Sequence, residues 1–301
     1  MKIHIKKTLQ FLSFYWIFIL CFMLPGMIIP RSEKMSKILV ISEEEMQYFF
    51  PLLLLFGLYM TITYWLLVKN VNEKKTVLMV KLLAANIILF PLMGFLESIF
   101  WRDAFQEFTT LEIMSIFLPF LITYILFTFY ITIISRNDPD QVGSSPFNSL
   151  SLNQVVQKIV FVAFIYFIIY NLAGYFIAWQ FEETRVFYSG NNHLDSFFVS
   201  FGKNISDIKF VTVHLFRGGL FAIAGLIIYN LLKTSQLKKI LVMSLLFGGF
   251  GFQIILPNPL FPATVRVSHF IETTVSMLTF GAIMAIVFHY RQLNEVKTVV
   301  A

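Results

Sequence analysis

Eight apolar runs, near 8–29, 47–68, 77–97, 112–134, 155–179, 208–232, 238–256 and 264–290, take up most of this 301-residue chain. A hydrocarbon core about 30 Å thick is crossed by roughly 20 helical residues, and each run is close to that length. The runs are solid blocks of Leu, Ile and Phe rather than short segments of alternating polarity. Helices are therefore predicted, not a barrel. With 57% hydrophobic and only 13% charged residues, the chain is too apolar for an ordinary soluble domain. The predicted fold is all-α: a polytopic transmembrane helical bundle of about eight spans, forming one integral membrane domain over 1–301.

The first run follows the basic start MKIHIKK, as a signal peptide would. Its apolar part is longer than such a segment needs and no small-x-small site precedes Pro25, so a retained span is expected. The formal charge of +6 is not spread evenly. Lys2, Lys6 and Lys7, then Lys69, Lys74 and Lys75, then Arg136, then Lys233, Lys238 and Lys239, and finally Arg291 and Lys297 all fall on one side of an eight-span chain. The opposite connections are acidic or balanced, with Glu97, Arg102, Asp103 and Glu107 in one and Glu182, Glu183, Arg185 and Asp195 in another. The connection carrying Arg31, Lys34, Lys37 and Glu43 to Glu45 discriminates least. The positive-inside rule places both termini in the cytoplasm, and the expected location is the cytoplasmic (inner) membrane of a bacterial-type cell. Charge in short membrane loops calls for lipid as the partner, and no nucleic acid is expected.

No soluble domain fits between the spans. The segment RNDPDQVGSSPFNSLSLNQ, 136–154, collects turn formers and divides the chain into possible halves 1–135 and 155–301 joined by a cytoplasmic loop. Two such halves would lie parallel, although no sequence match between them stands out. Between spans five and six, Phe197, Phe198 and Phe201 sit at helical spacing and suggest a short interfacial helix near 194–201. LPNPLFP, 256–262, is a rigid connection into span eight. The single cysteine, Cys21, lies in span one and reads as a small buried hydrophobe.

The unusual residues lie within the spans. VTVHLFRGGLFAIAGLIIYN carries His214 and Arg217 one turn apart on span six, ~9 and ~13 Å past its start near Ile208. RVSHFIETTVSMLTFG places Arg266, His269 and Glu272 at steps of three on span eight, which enters from the same side. Ionisable groups in a bilayer cost about 2.5–3.5 kcal/mol each on insertion scales and face the bundle interior. The expectation is that Glu272 neutralises Arg217 with His214 and His269 beside them and Arg266 at the entrance. Glu97, Asn171 and Tyr175, with Trp179, complete the pocket wall. Gly218, Ala222 and Gly225, and Gly248, Gly249 and Gly251, would let helices approach closely.

Three functions suit such a site. An Arg flanked by two His can hold a small anionic or lipid-headgroup ligand, as a transporter or sensor would. A buried ion pair can instead serve only to fix helix packing. An intramembrane enzyme would take His214, His269 and Glu272 as ligands for a divalent metal, but their spacing is not a metal motif and no cofactor is predicted. FEETR (181–185), FVTVH (210–214) and LFRGGLF (215–221) look like pieces of the CAAX-processing and bacteriocin-protection membrane proteases, which pair EExxxR with a later FxxxH and a final HxxxN or HxxxD. Phe210 to His214 fits FxxxH. Arg185 follows Glu182 and Glu183 at the wrong spacing, and Thr273 stands four residues after His269, so the resemblance stays confined to short pieces and implies no activity.

Overall fold

The computed structural model describes residues 2–29, 43–105, 108–135, 151–258 and 260–299. The connection with Arg31, Lys34 and Lys37, and the segment 136–150 with Arg136, fall outside them. The described residues form an all-α bundle with eight helices long and apolar enough to cross a membrane: Ile5–Ile28, Glu45–Lys69, Lys75–Phe100, Thr110–Ile134, Leu152–Gln180, Ile208–Leu231, Gln236–Ile255 and Ala263–Tyr290. These are spans one to eight, and the chain is an integral membrane protein by their length and composition. Each begins or ends within a few residues of its apolar run. The runs mark the lipid-facing length, and capping groups add the last turn. Thr109 with Glu112 and Ser151 with Gln154 form capping boxes at the starts of spans four and five. Asp207 accepts from the amides of Lys209 and Phe210 at the start of span six.

Span three is irregular in a way that matters below. Pro91 has no amide hydrogen to donate, and the helix passes through a π turn at Ile88–Leu92 before resuming at Met93. One extra residue in the turn rotates every later side chain by about 100° relative to an uninterrupted helix.

Packing repeats at an interval of four spans. Span one lies against spans two and four, and span three against four; span five lies against six and eight, and span seven against eight. The two sets meet where span two runs along seven and span three along six. At the lysine-rich end the connections after spans two and six join through an antiparallel bridge between Val71 and Leu232, and the Lys233 amide donates to the Asn70 carbonyl at 2.8 Å. The contacts among spans one to four thus recur among spans five to eight.

The bundle core is largely aromatic. Phe14, Phe18, Phe56, Phe127 and Tyr64 interlock edge to face, and Phe90 stacks on Tyr124 at 4.2 Å. A buried polar triad crosses it: the Tyr64 hydroxyl donates to Asn86 Oδ1 at 2.6 Å, and Asn86 Nδ2 donates to Thr128 at 2.9 Å, tying spans two, three and four together.

The bridge supplies a test of the seam. Residues facing across an antiparallel bridge have Cα atoms about 4.5–5.5 Å apart, within disulfide range. In a Cys21→Ala background, Val71→Cys with Leu232→Cys is expected to cross-link on mild oxidation, seen as a gel shift reversed by reductant. Val71→Cys with Leu241→Cys, whose partner faces away from the core, is expected not to.

Candidate functional site

The far end of the bundle carries a built cap. Past span five the chain makes a helix at Glu182–Ser189 and another at Phe197–Ser206. The second matches the expected interfacial helix but starts three residues later and runs to Ser206; the first was not anticipated. Thr184, fully buried, shares a 2.6 Å hydrogen bond with Ser268 of span eight, which docks the first helix on that span. Arg185 donates to the carbonyls of Trp179 and Asn192 at 2.6 and 2.7 Å, closing the hairpin on itself. Lys203 donates to Asp195 at 2.6 Å, and this bond holds the Asp195 carboxyl below the usual aspartate range. Asn258 turns the connection into span eight, its Oδ1 accepting from the amides of Leu260 and Phe261.

Beneath the cap the polar residues gather, with a different pairing from the expected one. Arg217, 1% exposed, donates through Nη2 to Glu97 Oε2 at 2.7 Å. Its neutralising partner is therefore Glu97 of span three and not Glu272. The physical reason is the neighbour relation of spans three and six together with the π turn, which turns Glu97 toward span six. Glu97 also accepts from the Tyr170 hydroxyl at 3.4 Å, and Tyr170 accepts from the Trp101 indole at 3.4 Å. Arg217 Nε and Nη1 have no hydrogen-bond partner among the described residues.

Glu272 is 7% exposed, and Oε2 is its only engaged oxygen. It accepts from Thr273 at 3.0 Å and lies 3.4 Å from His269 Nδ1. His214 is fully buried. Its Nδ1 donates to the Phe210 carbonyl at 2.8 Å, and its ring packs 4.1 Å from those of Tyr170 and Phe210. Arg266 donates to Glu45 at 2.7 Å and to the Phe261 carbonyl at 2.8 Å, so at the mouth it braces spans two and eight. Among the described residues no group of three His, Cys, Asp or Glu side chains can hold a metal. The candidate set His214, His269 and Glu272 is not brought together, because His214 is enclosed by rings on the other side of Tyr170.

Three cavities meet at Glu97. The first, a cleft of about 90 Å³, runs beneath the cap between Glu97 of span three and Trp101 just past its end, Tyr170, Asn171 and Tyr175 of span five, Tyr188, and His269 and Glu272 of span eight. The second, about 80 Å³, is lined mostly by apolar side chains such as Phe117, Phe120, Phe250 and Leu260, and shares Glu97, Trp101, Tyr188 and His269 with the first. The third, about 20 Å³, lies deeper, between Arg217, Glu97, Tyr166 and Glu272. His214 lines none of the three. Asn171 and Tyr175 stand in the cleft wall, tied by Asn204 at 2.9 Å and by the Asp195 carbonyl at 2.9 Å. Burial, reinforced by the Glu97 and Glu272 carboxylates, pushes the Tyr188 hydroxyl well above the usual phenol range, so it faces the cleft protonated at neutral pH.

Sequence reasoning left out Trp101, Tyr170 and Tyr188. Aromatic residues are too common here, with 36 phenylalanines and 12 tyrosines, for any three to stand out. The available signal was their position at the ends of spans and in the cap, beside Glu97. No protein-family model, curated protein or solved structure matches the chain.

Proposed function

We propose that the protein is a binding or transport protein of the cytoplasmic membrane, with both termini inside, whose small ligand enters from the outer face into the cleft beneath the cap. The observation that carries this reading is the meeting of Glu97, His269 and Glu272, from spans far apart in sequence, on one cleft that leads down to a buried Arg217. Ionisable groups at membrane depth are retained at a cost, and lining a cavity is the arrangement that serves ligands or protons. A site used only to fix helix packing needs no cleft, and the Glu272 carboxylate contributes no permanent ion pair to such packing.

Gly174 provides the test. It lines the cleft, and a side chain added there meets no atom within 4 Å. In a Cys21→Ala background, Gly174→Cys is expected to react with a membrane-impermeant maleimide added to intact cells, and some small solute is expected to slow that reaction. Ala85→Cys, in the core, is expected to stay unreactive. A Gly174→Cys protein that reacts only after the cells are opened, or that no solute protects, would overturn the reading.

A further inference from the structure

We infer that the cleft is built for an ammonium group, quaternary or primary, carrying one positive charge; this rests on the reading of the cleft as a ligand site given above. The sequence pattern suggested an anion because Arg217 stood out. In the structure Arg217 pairs with Glu97 through Nη2, and of the three cavities it lines the 20 Å³ one, which has room for about one water and none for a carboxylate or phosphate. The cleft itself contains two carboxylates and neither lysine nor arginine. An anion entering it would meet like charge; a cation would meet a waiting counter-ion.

That counter-ion is Glu272. Its carboxylate is nine-tenths buried, held only by a threonine hydroxyl and by a histidine at 3.4 Å, and its Oε1 has no partner among the described residues. The other cation on the same helix face, Arg266, is committed to Glu45. A buried carboxylate without a cation is costly, and a ligand that supplies the cation recovers that cost on binding.

The remaining walls suit the same chemistry. Trp101, Trp179, Tyr170, Tyr175 and Tyr188 present rings to the cleft, and ring faces attract cations, most of all tryptophan and tyrosine in desolvated sites. At about 90 Å³ the cleft has room for about three waters, the size of a small ammonium group. The same head group occurs on free amines and on lipids. The apolar second cleft, which shares Trp101, Tyr188 and His269, lies where the tail of an amphiphile would extend.

The experiment compares probes of opposite charge on the purified full-length chain in detergent. Choline, tetramethylammonium and ethanolamine are titrated against sodium acetate and phosphate at matched ionic strength. The readouts are tryptophan fluorescence, the thermal midpoint and protection of Gly174→Cys. A parallel arm places the protein in nanodiscs of phosphatidylcholine, phosphatidylethanolamine or phosphatidylglycerol. Ammonium compounds are expected to raise the midpoint and protect the cysteine. Glu272→Gln, which removes a buried charge and keeps the shape, is expected to weaken this about 30-fold or more, and Trp101→Leu about tenfold. An effect seen only with the choline and ethanolamine lipids, and lost in Glu272→Gln, supports the same site with a lipid as the source. Protection by acetate or phosphate but not by ammonium, or ammonium binding unchanged in Glu272→Gln, overturns the cation assignment and leaves the binding reading standing. No effect of any probe in either arm overturns both.

Discussion

Glu97→Leu is expected to destabilise the protein by about 3–5 kcal/mol, as removal of one partner from a buried ion pair does. The loss falls hardest on the residue left behind. Arg217 is 1% exposed and cannot shed its proton, so without Glu97 its charge has no compensation within the bundle. The reverse substitution, Arg217→Met, is expected to cost less, about 1–3 kcal/mol. The Glu97 side chain is 31% exposed and keeps its contact with Tyr170. The double variant Glu97→Leu with Arg217→Met is expected to recover most of the loss, because two apolar groups then meet where two charges did. Unfolding in mixed micelles with increasing denaturing detergent ranks the four proteins. A double variant as weak as Glu97→Leu alone would show that the pair is not the source of the effect.

Two adjacent glycines of span six are expected to respond in opposite directions. A Cβ on Gly218 would sit 2.8 Å from the Ala163 carbonyl oxygen and 2.9 Å from the Ala163 Cα. These are backbone atoms of span five, which yield only if the two helices separate. Gly218→Val is therefore expected to cost about 3 kcal/mol, at the upper end of ordinary overpacking, and to lower the yield of folded protein. Gly219 has no atom within 4 Å of the same position. Gly219→Ala is expected to be neutral or to stabilise the helix by about 0.5–1 kcal/mol, through the lower backbone entropy of alanine. The same unfolding series measures both, and a tolerated Gly218→Val would mean that spans five and six are not in that close contact.

The spans were readable because their signal is additive. Twenty apolar residues in a row identify a helix crossing whatever its neighbours are. The place of His214 and Arg217 along their helix was readable for the same reason, because span six starts at Ile208 as its apolar run does. Partner choice was not readable, because it depends on which helices touch. The sequence offered Glu272 as the obvious acid for Arg217, and the contact of spans three and six, with the rotation introduced at Ile88–Leu92, made it Glu97 instead. His214 shows the other limit. Its spacing to Arg217 is correct for a shared face, yet the rings of Tyr170 and Phe210 close over it, and no pattern within one helix reveals an aromatic wall supplied by another.

The seam between the two four-helix sets passes through the site. Glu97 comes from the first set, while Arg217, His269 and Glu272 come from the second. At the opposite end the same seam is fastened by main chain, through Val71 and Leu232. One end of the seam thus carries a main-chain fastening and the other a charge pair at the floor of a cleft, in addition to the packing of span two on seven and of span three on six. A ligand that binds more tightly to one relative tilt of the sets shifts the molecule toward that tilt, by the difference between its two affinities. By reciprocity, whatever fixes the tilt changes the affinity by the same factor. The Val71–Leu232 bridge and the Glu97–Arg217 pair are thus polar fastenings at the two ends of one seam.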